Sequence, residues 1–187
     1  MSTPTVNIPG YVVGTWDIDP IHSDVSISAR HLLVSKVRGH FGDFAGTITT
    51  AENPLDSKVE AVIQATSINT KQPQRDDHIR SADFLDVENY PTISFTSTGL
   101  RVNGDDWELD GDLTLHGVTK PVTLELEVVG FGPDGQGGTK VGFSAKTSVN
   151  RKDFDIRFNA TIEGTGGAVV SDKLEVHLEI EANLRAA

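Results

Sequence analysis

The chain has 187 residues, which is enough for one domain of ordinary size with a buried core. It has no cysteine, so disulfide frameworks, cysteine-bound metal clusters and thiol nucleophiles are excluded. With 16 basic and 27 acidic residues the formal net charge is −11. This charge argues against nucleic acid or an anionic membrane surface as a partner, because both require basic surface. We expect a single domain over residues 1–187.

The N-terminal region lacks the marks of a targeting segment. Residues 1–11 contain neither a basic residue nor the apolar stretch of a secretory signal. No part of the chain approaches the roughly 18 consecutive apolar residues that a membrane-spanning helix needs. We therefore expect a cytoplasmic protein without a membrane span.

Apolar and polar residues alternate with a period of two in most of the chain, which is typical of strands buried on one face. Eight segments show this pattern: residues 25–30, 44–50, 58–65, 92–100, 108–115, 122–128, 140–146 and 174–181. Turn-forming residues join several of them, at 103–106, 116–121 and 133–138. We expect a positive φ at Gly117 in the second of these links, a conformation that glycine adopts without steric cost. Short links make neighbouring strands antiparallel, and one polar face per strand indicates a sandwich or a barrel.

Two segments interrupt the strand pattern. Residues 70–89 contain short helical turns around 75–85, and Pro91 prevents their continuation. Residues 150–167 contain a further turn around 151–154 and end in the glycine-rich segment 164–167. We predict helical insertions at both places and no second domain.

Two motifs match known sites only in form. Residues 130–135 fit the glycine pattern of dinucleotide-binding loops, but Pro133 and the glycines after it predict a hairpin and not a helix. His22, His31 and His40 recur every nine residues, a spacing that would put successive side chains on opposite faces of a strand. Gly39 and Gly42 also interrupt any such strand. We expect no metal site here.

Paired carboxylates could serve as a general acid and base, yet each pair has a structural explanation as a turn, first-turn or solvated-strand residue. The pairs are Asp17 with Asp19, Asp76 with Asp77, and Asp110 with Asp112. We therefore predict no catalytic residue and no enzymatic activity.

The inward-facing positions of the predicted strands are apolar and contain no acid, base or metal ligand. As ligand-binding candidates we take Val25, Ile27, Phe44, Ile63, Ile93, Phe95, Leu113, Leu124, Phe143 and Val176. From the pattern alone a solid core is favoured over a cavity. A closed eight-stranded sheet could also hold one slender apolar ligand.

A series of ordered motifs gives a more specific indication. They lie at residues 16–23, 30–32, 37–41, 67–70, 75–86, 90–97, 111–122 and 150–154. Together they resemble the YceI-like family, the polyisoprenoid-binding proteins with a lipocalin-like barrel. The match extends from about residue 14 to residue 184, which is nearly the whole chain.

The resemblance implies an all-β fold, an extended eight-stranded antiparallel lipocalin-like β-barrel with a short helical insertion. It also implies an apolar pore that binds a long-chain isoprenoid lipid, of the polyprenyl quinone or polyprenyl phosphate type, as a carrier or store. Strands of about nine residues would give a tube of roughly 30 Å. Because no charged cluster is found inside, we expect changes in the headgroup to affect affinity less than changes in the tail. Within the motifs we interpret Asp76, His78, Arg80 and His116 as structural residues that bind exposed backbone at the barrel ends.

Two other functions stay open at this point. The barrel could be the substrate site of an enzyme that acts on an isoprenoid or other apolar substrate, with His31, Arg38 or a carboxylate at its mouth. It could also be a scaffold for a protein partner. We expect no cofactor beyond the bound lipid and no nucleic acid, and we leave a homodimer open.

Overall fold

A computed structural model describes residues 6–104, 106–160 and 169–186. Within these ranges there are eleven strands: β1 (Gly14–Ile18), β2 (Asp24–His31), β3 (Ser35–Phe41), β4 (Phe44–Thr50), β5 (Lys58–Gln64), β6 (Ile68–Asn69), β7 (Thr92–Asn103), β8 (Asp106–Leu115), β9 (Val118–Pro133), β10 (Thr139–Asn150) and β11 (Val170–Leu184). The one α-helix in them is α1 (Pro73–Arg80), and short 3₁₀ turns lie at Pro54–Asp56, Ala65–Ser67 and Arg151–Phe154.

The strands form one closed antiparallel sheet. Strand β11 pairs with β1 near its C-terminal end and with β2 along the rest of its length, so β1 and β2 act as one long strand with a break. The same holds for β3 with β4 and for β5 with β6. Counted in this way, eight strands follow one another in chain order and close between β11 and β1–β2. The predicted eight-stranded barrel is confirmed.

Each predicted strand falls in a different strand of the barrel, but β1, β3 and the two-residue β6 were missed. Gly39 was interpreted as an interruption, whereas it lies within β3 opposite Ile27. A Cβ atom on Gly39 would lie 2.9 Å from Ile68 Cδ1, so glycine allows the close approach of β3 to β6. Strands β9 and β11 are also much longer than the alternation predicted.

Trp16 closes one end of the barrel, which we call the Trp16 end. Its side chain is fully buried and packs with Ile48 and Val141. The indole Nε1 donates a hydrogen bond to Thr50 Oγ1 at 2.9 Å, which satisfies its polar atom inside the barrel. Phe131 packs edge-on against the indole at 5.5 Å between ring centroids.

Helix α1 lies at the opposite end, which we call the helical end. The buried Asp76 accepts hydrogen bonds from Thr70 N at 2.8 Å and from Thr70 Oγ1 at 2.5 Å. Arg80 donates from Nε to Thr66 O and from Nη2 to Ile68 O. Both side chains bind backbone where the sheet stops, the arrangement that the resemblance implies for them.

The link between β8 and β9 is a two-residue turn. His116 and Gly117 have φ angles of 54° and 71°, both in the left-handed region that such hairpins require. His116 Nδ1 donates to Phe154 O at 3.0 Å and so fixes the neighbouring segment. A Cβ atom on Gly117 would lie 2.5 Å from Tyr90 Cε1. The backbone requirement for glycine is therefore reinforced by packing.

Two further predictions have clear outcomes. Residues 130–135 form the end of β9 and the hairpin to β10, in which Asp134 Oδ1 accepts from Gln136 N and Gly138 N. The turn predicted near residues 151–154 is the 3₁₀ turn, whereas the glycine-rich segment 164–167 lies outside the described residues. No helix among the described residues is long and apolar enough to cross a membrane.

Candidate functional site

The barrel is hollow and encloses a cavity of about 250 Å³, which we call the tail chamber. All ten residues selected from the sequence line it: Val25, Ile27, Phe44, Ile63, Ile93, Phe95, Leu113, Leu124, Phe143 and Val176. The pattern-based preference for a solid core is therefore wrong. The role of these residues in ligand contact stays a prediction.

Small side chains are among those that line the tail chamber, and they leave space inside the barrel. Ala61 and Ala145 line the chamber, where a larger residue would extend into it. Phe95 and Phe143 both face inward, as their strand register predicts. The wall is almost wholly aliphatic and aromatic, so it suits an apolar chain, and no Asp, Glu, His, Lys or Arg is among the described residues that line it.

A second cavity of about 380 Å³ lies at the helical end, which we call the head chamber. It is bounded by the β2–β3 hairpin, by α1 and by residues 156–160. Five residues line both chambers: Ile27, Phe41, Leu85, Ile156 and Leu174. Because they share these walls, the two chambers are adjacent, and the surface between them is apolar.

The head chamber has basic residues in its wall. His31, Arg75, His78 and Arg151 line it, and Arg30 borders it from the outward-facing register of β2. Among the described residues that line the chamber there is no Asp or Glu. The charged groups of these side chains are bound to partners within the wall, such as Thr70 for Arg75 and Asp83 for His78, so the surface that faces the chamber is itself largely apolar.

Arg151 is the most deeply buried of these residues, with 1% of its surface exposed. Its Nε donates to Ser171 O at 3.0 Å, and its Nη1 donates to Ile156 O at 3.0 Å and to Phe158 O at 2.7 Å. Among the described residues, Nη2 has no hydrogen-bond acceptor. Asp172 Oδ1, 3.6 Å away, is beyond hydrogen-bond distance.

Burial lowers the pKa of the Arg151 guanidinium, which nevertheless stays charged at neutral pH. Buried donors are almost always paired in folded proteins, because an unpaired one loses the hydrogen bonds that water would supply. Nη2 itself is buried behind the chamber wall, and the charge of the guanidinium is offset by the ion pair with Asp172 at 3.6 Å. The sequence alternation could not indicate this residue, since its environment depends on segments that meet only in the folded chain.

His78 differs from the structural role that the resemblance implies. Its Nε2 donates to Asp83 Oδ2 at 2.8 Å, and not to backbone. The imidazole also packs edge-on against Phe84 and Phe158, with ring centroids 5.0 Å and 5.1 Å away. It forms part of the head chamber wall, while Arg75 donates to the hydroxyl and carbonyl oxygens of Thr70.

Of the three histidines that recur every nine residues, His31 lines the head chamber, and the other two lie in different surroundings. His40 hydrogen-bonds Asp24 at 2.8 Å, and His22 hydrogen-bonds Asp19 at 2.8 Å. The His22 hydrogen bond lowers the pKa of the Asp19 carboxyl to about 2. The spacing therefore does not bring the three side chains into one described site.

Asp19, His22 and Glu181 do have possible ligand atoms within 4.8 Å of one another. The Lys140 ammonium already contacts both carboxylates, and it lies 3.6 Å from Asp19 Oδ2. The Lys140 ammonium is therefore the cation of this cluster. The cluster connects the segment between β1 and β2 with strands β10 and β11. The expected absence of a metal stays a prediction.

Asp17 and Asp110, which belong to two of the predicted carboxylate pairs, have ionic partners. Asp17 accepts from Arg185 at 2.6 Å, and Asp110 accepts from Arg101 at 2.6 Å. The hydrogen bond from Arg101 lowers the pKa of Asp110 to about 2. These contacts support the structural interpretation of the pairs.

Comparison with known proteins identifies close relatives. A YceI-like domain is matched by residues 16–182. The protein YceI of Escherichia coli O17:K52:H18 is 47% identical over 137 residues, which cover 73% of this chain and 72% of that protein. The protein YceI of Salmonella newport is 45% identical over 136 residues, covering 72% and 71% of the two chains.

Solved structures share the barrel. BcnA of Burkholderia cenocepacia matches with a TM-score of 0.75 at 19% identity, over 88% of this chain and 98% of its own. The YceI protein of Campylobacter jejuni matches with 0.71 at 29% identity, over 84% and 90%. A domain from Saccharophagus degradans, described as polyisoprenoid binding and implicated in plant cell wall breakdown, matches with 0.69 at 16% identity, over 93% and 100%.

Replacing Phe143 with Asp tests the wall of the tail chamber. The variant would put an unpaired carboxylate into an apolar cavity, so we expect a loss of about 3 kcal/mol or more in the free energy of unfolding, measured with urea. An apolar fluorescent probe should also bind more weakly. Val129→Asp is the control, because Val129 is 66% exposed on the same sheet and should tolerate the change. Unchanged stability and probe binding in Phe143→Asp would contradict the assigned register.

Proposed function

Because the chain belongs to the YceI-like family, we propose that its barrel binds one isoprenoid lipid as a carrier or store. The tail lies in the tail chamber and the polar headgroup in the head chamber. The observation that carries this proposal is the adjacency of an aliphatic cavity and a second cavity with basic residues in its wall, joined by shared apolar walls. This division matches the two parts of an amphiphilic lipid.

The shape of the barrel supports a long, linear ligand. Strand β9 has 16 residues and β11 has 15 residues. At about 3.3 Å per residue each is roughly 50 Å long, and a tilt of about 40° shortens the barrel to roughly 40 Å. The sequence-based strands of about nine residues gave a shorter tube. The related Saccharophagus degradans domain, described as polyisoprenoid binding, supports an isoprenoid as the chain type.

The head chamber favours the polyprenyl phosphate alternative over the quinone. A phosphate carries a negative charge that the basic side chains in the chamber wall would stabilise, whereas a quinone offers only neutral carbonyl oxygens. From the sequence alone we expected headgroup changes to matter less than tail changes. The basic wall of the head chamber leads us to propose that a charged headgroup adds measurably to affinity.

We propose binding without catalysis. The enzyme alternative requires a base or acid at the headgroup, and His31 or His78 with its partner Asp83 would have to fill that role. Arg38, the other candidate, lies in the outward-facing register of β3 and is exposed. Recovery of a chemically unchanged lipid after prolonged incubation supports binding. A cytoplasmic location and the homodimer option stay predictions from the sequence.

A series of ligands with one headgroup and increasing tail length tests the tail chamber. Each isoprene unit adds about five carbons, so affinity should rise with each unit by at most about 4 kcal/mol, and by less after the tail is ordered. The rise should stop once the tail outgrows the barrel. Titration calorimetry measures this profile. An affinity independent of tail length would contradict the proposal.

Replacing Asp172 with Asn tests the headgroup position. This change removes the negative charge 3.6 Å from Arg151 Nη2 at a side chain that is 44% exposed. We expect about fivefold tighter binding of a polyprenyl phosphate, because repulsion of the headgroup is removed, and no change for a polyprenyl quinone.

Asp155→Asn is the matched control. It changes the net charge equally and is 66% exposed, but its carboxylate pairs with Arg157 and does not contact Arg151. Its left-handed φ of 61° suits asparagine. Equal effects of Asp172→Asn and Asp155→Asn would exclude a specific anion position beside Arg151.

A further inference from the structure

The tip of the β2–β3 hairpin presents three consecutive apolar side chains to solvent. Leu32, Leu33 and Val34 are 40%, 67% and 84% exposed. Single exposed apolar residues are common on soluble proteins, but three together at a projecting turn form a small apolar patch. The patch lies at the helical end, because Leu32 N donates to Val169 O at 2.9 Å, next to the start of β11.

The backbone at this tip is in a conformation that leucine disfavours. Leu32 and Leu33 have φ angles of 54° and 65°, in the left-handed region. Glycine or asparagine would make the same turn with less strain. Two leucines at these positions expose apolar surface and strain the backbone. Because they lie at the tip, they do not stabilise the interior of the barrel in return. Such a combination points to a role in contact with something outside the chain.

The hairpin also carries a local positive charge. Residues 25–42 contain no Asp or Glu, although the whole chain has 27 acidic residues. Arg30, Lys36 and Arg38 share the outward-facing register and are exposed, and Arg30 lies directly opposite Lys36. Lys36 contacts one carboxylate, that of Glu175 at 2.9 Å. An apolar tip above three cations complements a surface of acidic lipid headgroups over an apolar layer.

We propose that this hairpin docks the protein on an anionic lipid bilayer. Leu32, Leu33 and Val34 insert between the lipid headgroups, and the cations below them contact the lipid phosphates. The net charge of −11 led us to expect that an anionic membrane would be a poor partner. Binding at a bilayer surface depends on the charges within about one Debye length of it, however, so the local basic region outweighs distant acidic residues.

The hairpin lies beside the head chamber, so docking would assist lipid binding. This link rests on the proposed function. His31 and Val37 of this hairpin line the head chamber. Docking through the tip therefore brings that chamber close to the bilayer surface. An isoprenoid lipid could then pass between bilayer and barrel with little exposure of its tail to water.

The size of the patch favours a bilayer over a protein partner. A stable protein interface buries about 800 Å² on each side, far more than three side chains provide. Insertion into a bilayer needs only a few apolar side chains together with nearby cations. A second copy of the chain and another protein are the occupants that the experiment must exclude.

Co-sedimentation with vesicles tests the proposal in the full chain. Vesicles of phosphatidylcholine with phosphatidylglycerol should bind the protein, and pure phosphatidylcholine should bind it more weakly. The double variant Leu33→Ser with Val34→Ser should reduce binding about tenfold, because it removes most of the inserted apolar surface. Arg38→Gln should weaken binding only to the anionic vesicles.

The matched control is Ile21→Ser with Val129→Ser. These residues are 85% and 66% exposed and lie outside the hairpin. Their replacement should leave vesicle binding unchanged. Equal loss in the control variant, or no binding of the native chain to anionic vesicles, would overturn the proposal. Loss of a dimer in the Leu33→Ser, Val34→Ser variant without a change in vesicle binding would overturn it too and assign the tip to a second copy.

Leu33→Trp reports insertion directly. Its emission should shift to the blue on vesicle addition and be quenched by lipids with brominated acyl chains, whereas a tip that stays in water gives neither change and contradicts docking. Lipid affinity measured without vesicles separates the two proposals. Normal affinity in the Leu33→Ser, Val34→Ser variant with lost vesicle binding supports docking as a separate function. Failure of lipid binding with intact docking would contradict only the proposed function.

Discussion

The closed hydrogen-bond ladder between β11 and the broken strand β1–β2 is the constraint on which the structure depends. An open sheet with these apolar faces would have to fold onto itself and pack them as a solid core. Closure instead holds the inward side chains on a ring whose radius is set by eight strands. Side chains from opposite walls do not fill its middle, and an apolar cavity is left.

Most of what could be predicted about the barrel came from the alternation of apolar and polar residues along the strands. It gave the inward positions, so all ten residues selected from it line the tail chamber, and glycine at position 117 was predicted correctly from the turn. The same alternation is found in hollow and in solid barrels. Whether a cavity remains depends on the radius of the barrel and on the volume of the side chains that face inward. Gly39 was misinterpreted because its role depends on the distance to Ile68, a contact that no local pattern contains.

The head chamber could not be predicted for a different reason. Arg151 receives its carbonyl partners from residues 156, 158 and 171, which meet only once β11 has paired beside the 3₁₀ turn. The chemistry changes along the barrel: an aliphatic interior is followed by a chamber with basic residues in its wall at the helical end, and then by an apolar tip with cations beneath it. This order corresponds to the tail, the headgroup and the bilayer from which such a lipid would come.

The most direct test is solvent extraction of the protein purified from cells, followed by mass spectrometry of the extract. The account predicts one predominant polyprenyl species, with a phosphate headgroup, in an amount comparable to that of the protein. The folded Phe143→Val variant, which has a smaller apolar side chain in the same wall, should carry the same lipid. A folded protein that yields no long-chain lipid, or only small polar molecules, would contradict the account.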